Sequence, residues 1–405
     1  MKLARATLTR VRLRLIAPIS TARGRIGVRE GVVLALESES GEVGYGEALP
    51  LEGFGSESVA QACETLEKLA RRILGRSLPE RDLPMPDEAS APGRGSAFTE
   101  WAALSGSHFG ELGALLDEAE SVAPDAPAAR AALDSALFDL AARTRGISVA
   151  KLLAAPRVPR GRVGVSALLR GEQPLEAARE ARLAIDEGFR SVKLKVGASD
   201  LAHDEARVSA VRGAIGDDVK LRLDANAGWK EADAERAIAR FAPHAIEYLE
   251  QPVAASDLAG LARLRANSPI PIAADEALAG GRAVDEILQR DAADLLVLKP
   301  ATLGGLRACL GIAHRARAKG VNCVVTSALD SALGLSAALQ LAAALPGPLP
   351  DAGLATGASL VEDLAAAPLP IQGEIELPEC GGIGVTPLPG ALARCALGDA
   401  REIGR

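Results

Sequence analysis

Short apolar runs alternate with amphipathic, alanine-rich segments from about residue 161 to residue 356. The eight runs are VGVSALL (163–169), SVKLKV (191–196), VKLRLDA (219–225), IEYLE (246–250), PIAAD (271–275), LLVLKP (295–300), NCVVTS (322–327) and AGLAT (352–356). Such a succession predicts parallel strands joined by crossover helices, and eight units favour a closed (β/α)8 barrel. A doubly wound open sheet is the alternative, but no GxGxxG loop follows a strand.

The chain has 405 residues, more than the roughly 250 of a barrel alone, so we expect a second domain. Residues 1–50 alternate like antiparallel strands, with a hairpin turn at 40–42, and two helical segments follow. We assign residues 1–130 to an α+β domain and 131–365 to the barrel. Residues 366–405 are expected to pack back on the first domain. The Pro-, Gly- and Ser-rich stretch near 80–110 is predicted to be a loop or insertion.

The net charge is −7, and acidic and basic residues are interspersed without a basic face. This argues against nucleic acid and against anionic membranes as partners. The five cysteines are far apart and form no CxxC pair, so neither a disulfide framework nor a zinc site is expected. No run reaches the roughly 20 apolar residues of a membrane span. We expect a cytoplasmic protein; its oligomeric state stays open, and an oligomer is compatible with the sequence.

A polar residue closes most of the apolar runs and recurs at an interval of 24 to 29 residues. The series is Lys195, Asp224, Glu250, Asp275, Lys299 and Thr326. In a parallel barrel the carboxyl ends of the strands meet at one mouth, where the active sites of such enzymes lie. The spacing therefore predicts a ring of polar side chains around that mouth.

Three carboxylates of this ring come from successive strands: Asp224, Glu250 and Asp275. Negative charges crowded at one mouth repel each other and raise one another's pKa unless a cation lies between them. Oxygen ligands of this kind suit Mg²⁺ better than zinc, with Mn²⁺ as a substitute. We predict one divalent metal held by the three residues. The alternative is that each carboxylate caps the following helix or pairs with an arginine.

Lys193 and Lys195 stand two residues apart on one strand, so both side chains face the barrel interior. The cationic neighbour Lys193 disfavours protonation of Lys195, which makes Lys195 a base usable near neutral pH. Lys299 lies four strands further around the barrel, so it can contact the opposite face of a bound molecule. Salt bridges with the carboxylates are a second interpretation, compatible with the first. A metal with a lysine on each side of the bound substrate suits one reaction, the removal of a proton next to the carboxylate of a small molecule.

Five motifs in this order resemble the enolase superfamily, muconate-lactonizing subgroup: KLK (193–195), LDAN (223–226), YLEQP (248–252), ADE (274–276) and LKP (298–300). The resemblance spans the whole chain. It implies a (β/α)8 barrel with an N-terminal α+β capping domain that the C-terminal segment completes. It also implies that Asp224, Glu250 and Asp275 are the Mg²⁺ ligands. Lys195 and Lys299 are implied as the acid/base pair. The mandelate-racemase subgroup has a catalytic histidine on the seventh strand, where this chain has Thr326 and Ser327.

Residues 326–346 and 352–357 are similar to o-succinylbenzoate synthases, which dehydrate a cyclohexadiene carboxylate with a succinyl chain in menaquinone biosynthesis. In that likeness Lys195 removes the α-proton and then protonates the leaving hydroxyl on the same face. Lys299 stabilises the enediolate as a cation. The implied substrate contacts are Lys193, Asn226, Ser327 and Arg222. For Arg222 an interior salt bridge is the alternative. Two loops of the cap, 20–25 and 50–56, either cover the mouth or are ordinary hairpin turns.

The second candidate activity is that of an N-acylamino acid racemase or dipeptide epimerase, which uses Lys195 and Lys299 as bases on opposite faces. An epimerase of this kind usually carries an Asp-x-Asp pair near the eighth strand, but this region reads GLATG, with Asp351 nearby. Muconate cycloisomerase is the third candidate. A barrel retained only as a metal-dependent binding scaffold predicts the loss of a lysine or carboxylate, and the sequence keeps them all.

Overall fold

The structure, a computed structural model, describes residues 1–21, 24–78 and 109–404, so most of the predicted 80–110 loop lies outside the described residues. Three antiparallel strands open the chain: β1 Leu3–Thr21, β2 Gly24–Ser38 and β3 Val43–Ala48. The amide of Ser38 donates to the carbonyl of Glu42 (2.9 Å) across the turn between β2 and β3, which confirms the predicted hairpin.

Four helices follow these strands: α1 Val59–Ile73, α2 Gly110–Val122, α3 Pro127–Thr144 and α4 Val149–Ala154. Helix α3 is buried along most of its length because it packs on β3. Gly44 and Gly46 allow this approach: a Cβ at either would lie 2.0–2.2 Å from a carbonyl oxygen of α3. The predicted domain limit at residue 130 falls inside α3, and this helix joins the cap to the barrel.

After β4 Arg162–Gly164, the barrel strands are β5 Ala167–Leu169, β6 Ser191–Lys195, β7 Lys220–Asp224, β8 Ile246–Glu250, β9 Ile272–Ala274, β10 Leu295–Leu298 and β11 Asn322–Val325. Strands β5 to β11 pair in parallel, each with its neighbour in the chain. The intervening helices are α5 Pro174–Asp186, α6 Leu201–Ile215, α7 Glu231–Phe241, α8 Leu258–Asn267, α9 Val284–Gln289, α10 Pro300–Leu303, α11 Leu306–Ala318 and α12 Ala332–Ala344. Seven of the predicted runs thus lie in one parallel sheet.

The ring closes through residues 352 and 353, which form single bridges instead of the predicted strand 352–356. The amide of Ser166 donates to the carbonyl of Ala352 (2.9 Å), and the amide of Gly353 donates to that of Val325 (2.9 Å). The predicted run 163–169 is also divided, because β4 leaves the ring to pair with β12 Glu374–Glu376. Glycines within 352–357 weaken an extended strand, which explains why this eighth unit is so short.

The end of the chain returns to the cap. Helix α13 Pro389–Cys395 contacts β1, and β13 Arg401–Gly404 pairs with β1 in antiparallel register. Within the described ranges, no helix is both long and apolar enough to span a bilayer.

Candidate active site

The carboxyl ends of the barrel strands surround one cavity with an empty volume of about 1020 Å³, part of it open to solvent. Nearly all residues predicted from the sequence line this cavity: Lys193, Lys195, Arg222, Asp224, Asn226, Asp275, Lys299, Thr326 and Ser327. Glu250 is fully buried and lies directly behind Lys193. The predicted ring of polar side chains around the mouth is therefore present in the fold.

Parallel pairing explains this convergence. Lys195 is in register with Asp224, and Asp224 is in register with Glu250. Asp275 follows β9 directly and Lys299 follows β10 directly, so both side chains lie at the same end of the barrel. A strand residue and its in-register neighbour project to the same face, and the barrel interior is that face here.

The lysines on β6 are both engaged by acidic groups. Nζ of Lys193 lies 2.8 Å from both carboxylate oxygens of Glu250 and 2.9 Å from Oδ2 of Asp224. Burial disfavours its charge, but Asp224 and Glu250 raise the pKa of Lys193 well above the ordinary value. Nζ of Lys195 lies 3.2 Å from Oδ2 of Asp224 and donates to Oδ1 of Asn226 at 2.6 Å. The positive charge of Lys193, expected to act on Lys195, is thus largely matched by carboxylates.

Lys299 forms a hydrogen-bonded ion pair with Oδ2 of Asp275. Burial works against its charge, yet Asp275, Glu250 and Glu276 raise the pKa of Lys299 above that of a free lysine. Lys299 is therefore a cation near neutral pH. This state fits a group that stabilises negative charge on a substrate.

The carboxylates differ from one another because their partners differ. Burial opposes ionisation of Asp224, but Lys193 and Lys195 hold its pKa well below the usual range. Burial and the charge of Asp224 together raise the pKa of Glu250 to about 7. Burial also raises the pKa of Asp275, against the opposing effect of Lys299. Negative charge is in excess around Glu250 and Asp275.

The donor set fits a hard divalent cation. In the described part of the chain, no three His, Cys, Asp or Glu side chains are arranged to hold a metal ion as they stand. The ammonium groups of Lys193 and Lys299 lie against the carboxylates. A fourth carboxylate, Glu276, is buried, and its Oε2 has no hydrogen-bond partner among the described residues. Oxygen-rich, acidic sites with unmatched charge favour Mg²⁺ or Mn²⁺. The three predicted ligands would hold such an ion once Lys193 and Lys299 turned aside.

Sequence reasoning missed two supporting residues. Glu276 accepts a hydrogen bond from Nδ2 of Asn226 (3.1 Å), and the signal for it was its position directly after Asp275 in the ADE motif. Oε1 of buried Gln251 accepts from the amides of Asp275 (3.0 Å) and Ala277 (3.1 Å). Gln251 thereby holds the end of β9, which fixes the Asp275 carboxylate relative to β8.

Arg222 forms the interior salt bridge that was the alternative to a substrate contact. Its Nε donates to Glu247 (2.6 Å) and its Nη1 donates to the carbonyl of Asp351 (2.6 Å). Its guanidinium also lies 5.2 Å from the ring centroid of Tyr248. Arg222 also lines the cavity, so its predicted contact with a substrate stays a prediction beside this interior ion pair.

Hydroxyl groups line the side of the cavity where the first and last barrel units meet. Oγ of Ser327 and Oγ1 of Thr356 are 2.8 Å apart. The hydroxyls of Ser166 and Thr326 are buried and have no hydrogen-bond partner among the described residues. This wall therefore offers neutral donors and acceptors to a bound molecule.

Residues of both cap loops reach the mouth: Ile19, Thr21, Ile26, Leu51 and Phe54. Gly55 has φ +94°, and a Cβ there would lie 2.3 Å from Cβ of Ala279, so this loop packs tightly on the segment after β9. The cap thus supplies an apolar cover for the polar ring, and residues 22 and 23 of the first loop lie outside the described residues.

Comparison with known proteins agrees with this architecture. The sequence profile of the family "Enolase C-terminal domain-like" matches residues 176–391. L-Ala-D/L-Glu epimerase of Bacillus subtilis is 32% identical over 85% of this chain and 85% of its own length. An o-succinylbenzoate synthase of Mycobacterium tuberculosis is 42% identical, but over 54% of this chain and 65% of that relative.

The crystal structure of a dipeptide epimerase from Enterococcus faecalis, complexed with Mg and the dipeptide L-Leu-L-Tyr, is similar in fold with a TM-score of 0.81 and 27% identity. The match covers 95% of this chain and 100% of that one. Family profile, barrel and capping domain agree, and the chain belongs to the enolase superfamily.

Proposed function

We propose that this protein is an o-succinylbenzoate synthase, which dehydrates 2-succinyl-6-hydroxy-2,4-cyclohexadiene-1-carboxylate to 2-succinylbenzoate with Mg²⁺. The observation that carries the proposal is the composition of the cavity wall opposite the carboxylates. That wall consists of Ser166, Thr326, Ser327, Ala355 and Thr356, and the cap residues Leu51 and Phe54 lie over it. It suits an apolar ring and a side chain that accepts hydrogen bonds.

The proton transfers belong to Lys195. Its amine, held by Asp224 and Asn226, would take the α-proton of the substrate carboxylate. The C–O bond to the ring hydroxyl then breaks, and the ammonium of Lys195 returns its proton to the departing oxygen, so water leaves from the same face. The ring becomes aromatic, and Lys195 ends as the amine with which it began.

Charge stabilisation belongs to Lys299 and the metal. A bound Mg²⁺ would neutralise the substrate carboxylate and the additional negative charge that proton removal places on it. Lys299, kept cationic by Asp275, would face the developing charge from the side opposite Lys195. In this mechanism Lys195 exchanges a proton with the substrate, whereas Lys299 stays protonated.

A free dipeptide fits this cavity less well. Its α-ammonium would need a carboxylate partner once buried, because an unpaired buried charge is costly. Asp351, the acidic residue nearest the eighth barrel unit, accepts a hydrogen bond from Ser191 (2.7 Å), and its carbonyl accepts one from Arg222. Asp351 does not line this cavity in the described structure. The carboxylates that do line it belong to the metal side.

Racemisation of N-acylamino acids is the second candidate. An N-succinyl group is neutral at its amide, so the argument against dipeptides does not apply to it, and both lysine faces are present. Similarity to the N-succinyl-L-Arg/Lys racemase of Bacillus cereus, 27% identical over 84% of this chain, also supports this reaction.

A side-by-side assay separates these activities. Purified protein with Mg²⁺ is given the cyclohexadiene substrate, several N-succinyl amino acids and L-Ala-L-Glu in parallel. We expect kcat/KM for dehydration to exceed that for every racemisation. Faster racemisation or epimerisation of any of the others would overturn the assignment.

A further inference from the structure

The carbonyl of Lys195 receives a hydrogen bond from the side chain of a helix outside the catalytic ring. Nη1 of Arg207, on α6, donates to the carbonyl oxygen of Lys195 at 2.8 Å. The same guanidinium donates twice to the carbonyl of Gly171, at 3.2 Å from Nε and 2.9 Å from Nη2. One side chain therefore ties together the segments that follow β5 and β6.

Asp204, one turn earlier on α6, completes this arrangement. Its Oδ1 accepts from Nη1 of Arg207 (3.1 Å), and its Oδ2 accepts from the amide of Gly197 (2.7 Å), two residues beyond Lys195. Gly197 has φ +86°, a backbone conformation that other residues rarely adopt. The Arg207–Asp204 ion pair thus holds the turn after β6 at two points, the carbonyl of Lys195 and the amide of Gly197.

Both charged residues are deeply buried, with 1% of Asp204 and 8% of Arg207 exposed. They lie on the face of α6 that otherwise packs Val208, Val211 and Ile215 into the core. A buried ion pair contributes little net stability compared with well-packed apolar side chains. Its location, at the backbone of the proposed base, indicates a role other than stability.

The second catalytic lysine is held in a different way. The carbonyl of Lys299 accepts from the amides of Thr302 (3.0 Å) and Leu303 (3.1 Å), which belong to the short helix that Lys299 itself begins. No contact described for Arg207 or Asp204 reaches Lys299. A change at Arg207 should therefore act on one face of the substrate.

From these contacts we infer that Arg207, with Asp204, is a positioning residue that sets the reach of Lys195. This inference rests on the proposed function only in naming Lys195 as the base. A misplacement of about 1 Å can cost on the order of 100-fold in rate. Loss of the Arg207 hydrogen bonds should accordingly lower kcat while leaving KM nearly unchanged.

The test uses Arg207→Met, which removes all donors, and Arg207→Lys, which keeps the charge but loses the planar fork. Arg212→Met is the matched control, because Arg212 on the same helix donates to the carbonyls of His244, Gly216, Val219 and Ala245. We expect kcat for dehydration to fall about 10- to 100-fold in Arg207→Met and less in Arg207→Lys. Arg212→Met should stay within about twofold at a temperature where all variants are folded.

If the enzyme instead racemises N-succinyl amino acids, the same variants are followed in D₂O with each enantiomer separately. The inference predicts slow α-proton exchange for the enantiomer that faces Lys195 and normal exchange for the one that faces Lys299. Equal losses for both enantiomers, or for Arg207→Met and Arg212→Met, would overturn it. A failed dehydration assay in the unaltered protein would instead refute the proposed function.

A crystal structure of Arg207→Met decides the matter without any substrate. We expect Nζ of Lys195 to move away from Asp224 and Asn226. If both contacts, 3.2 Å and 2.6 Å here, persist unchanged, Arg207 does not position Lys195.

Discussion

Nζ of Lys193 lies 2.8 Å from each carboxylate oxygen of Glu250, which places an ammonium group where a metal ligand needs open space. Burial and the nearby Asp224 nevertheless raise the pKa of Glu250 to about 7. Mg²⁺ and a proton therefore compete for Glu250. We predict that the Mg²⁺ affinity of the metal-free protein falls as pH drops below 7, by up to about tenfold per pH unit.

Calorimetric titration with Mg²⁺ at pH 6 and pH 8, in buffers of different ionisation enthalpy, checks this. Proton release on binding should be clear at pH 6 and nearly absent at pH 8. Equal affinities at the two pH values would show that Glu250 is ionised in both.

Removal of the metal should abolish turnover. The site has oxygen donors, so we expect excess EDTA to eliminate activity, Mg²⁺ to restore it and Mn²⁺ to restore a substantial part. Zn²⁺ serves as the control ion, because it prefers nitrogen and sulfur ligands. Full activity in EDTA after dialysis would contradict the assignment of Asp224, Glu250 and Asp275 as ligands.

Replacement of the proposed base should be far more damaging than replacement of another lysine. Lys195→Ala removes the group that carries the proton, and general acid–base catalysis is worth about 10²- to 10⁴-fold, so we expect a loss in that range. The control is Lys220→Ala, an exposed lysine at the opposite end of the neighbouring strand. Near-normal dehydration by Lys195→Ala would show that another group takes the proton.

Lys299 should be needed as a charge and not as a base. Lys299→Gln removes the cation that Asp275 stabilises, and we expect kcat for dehydration to fall by about 10²-fold or more. Because Lys299 keeps its proton across the neutral range, the pH profile of the remaining activity should match that of the unaltered enzyme. A profile that loses a limb in Lys299→Gln would assign Lys299 a proton transfer.

The ring of polar side chains at the barrel mouth was predictable because each strand end contributes one of its residues. Apolar runs fix where strands lie, and parallel pairing then brings Lys195, Asp224 and Glu250 side by side. Gln251 and Arg207 could not be found in this way. Their roles depend on hydrogen bonds to backbone groups of other strands, and no spacing along the chain reports such contacts.

The closure of the barrel was only half predictable. The run 352–356 lies where an eighth strand belongs, yet it forms single bridges to Val165 and Thr326. A Cβ at Gly353 would lie 2.7 Å from the side chain of Thr326, so the glycine is present for close approach to β11. Hydrophobic pattern alone does not distinguish such a contact from a full strand.

The interface between cap and barrel contains a carboxyl group that should make stability depend on pH. Glu47 on β3 is 7% exposed and accepts hydrogen bonds from the amide (3.0 Å) and hydroxyl of Ser331. Burial and the charge of Asp330 raise the pKa of Glu47 to about 8. The nearby Arg29 directs its hydrogen bonds to the carbonyls of residues 49, 50 and 329 instead.

The folded-state pKa of Glu47 is above the value of about 4.5 in an unfolded chain, so the folded protein binds the proton more tightly. Its contribution to stability is complete below pH 4.5 and is lost as pH rises through 8. Glu47→Gln mimics the protonated form at every pH. We expect it to be close to the unaltered protein at pH 5 and more stable by a few kcal/mol at most at pH 9.

Urea unfolding at pH 5, 7 and 9 measures this difference, with Glu42→Gln as the control because Glu42 lies in the exposed turn of the same hairpin. Glu42→Gln should follow the unaltered protein at all three pH values, since solvent screens an exposed carboxylate. The free energy of unfolding of Glu47→Gln, relative to that of the unaltered protein, should increase steadily as pH rises. Parallel curves for Glu47→Gln and the unaltered protein would mean that Glu47 ionises without cost, and that the charge of Arg29 compensates it across the interface.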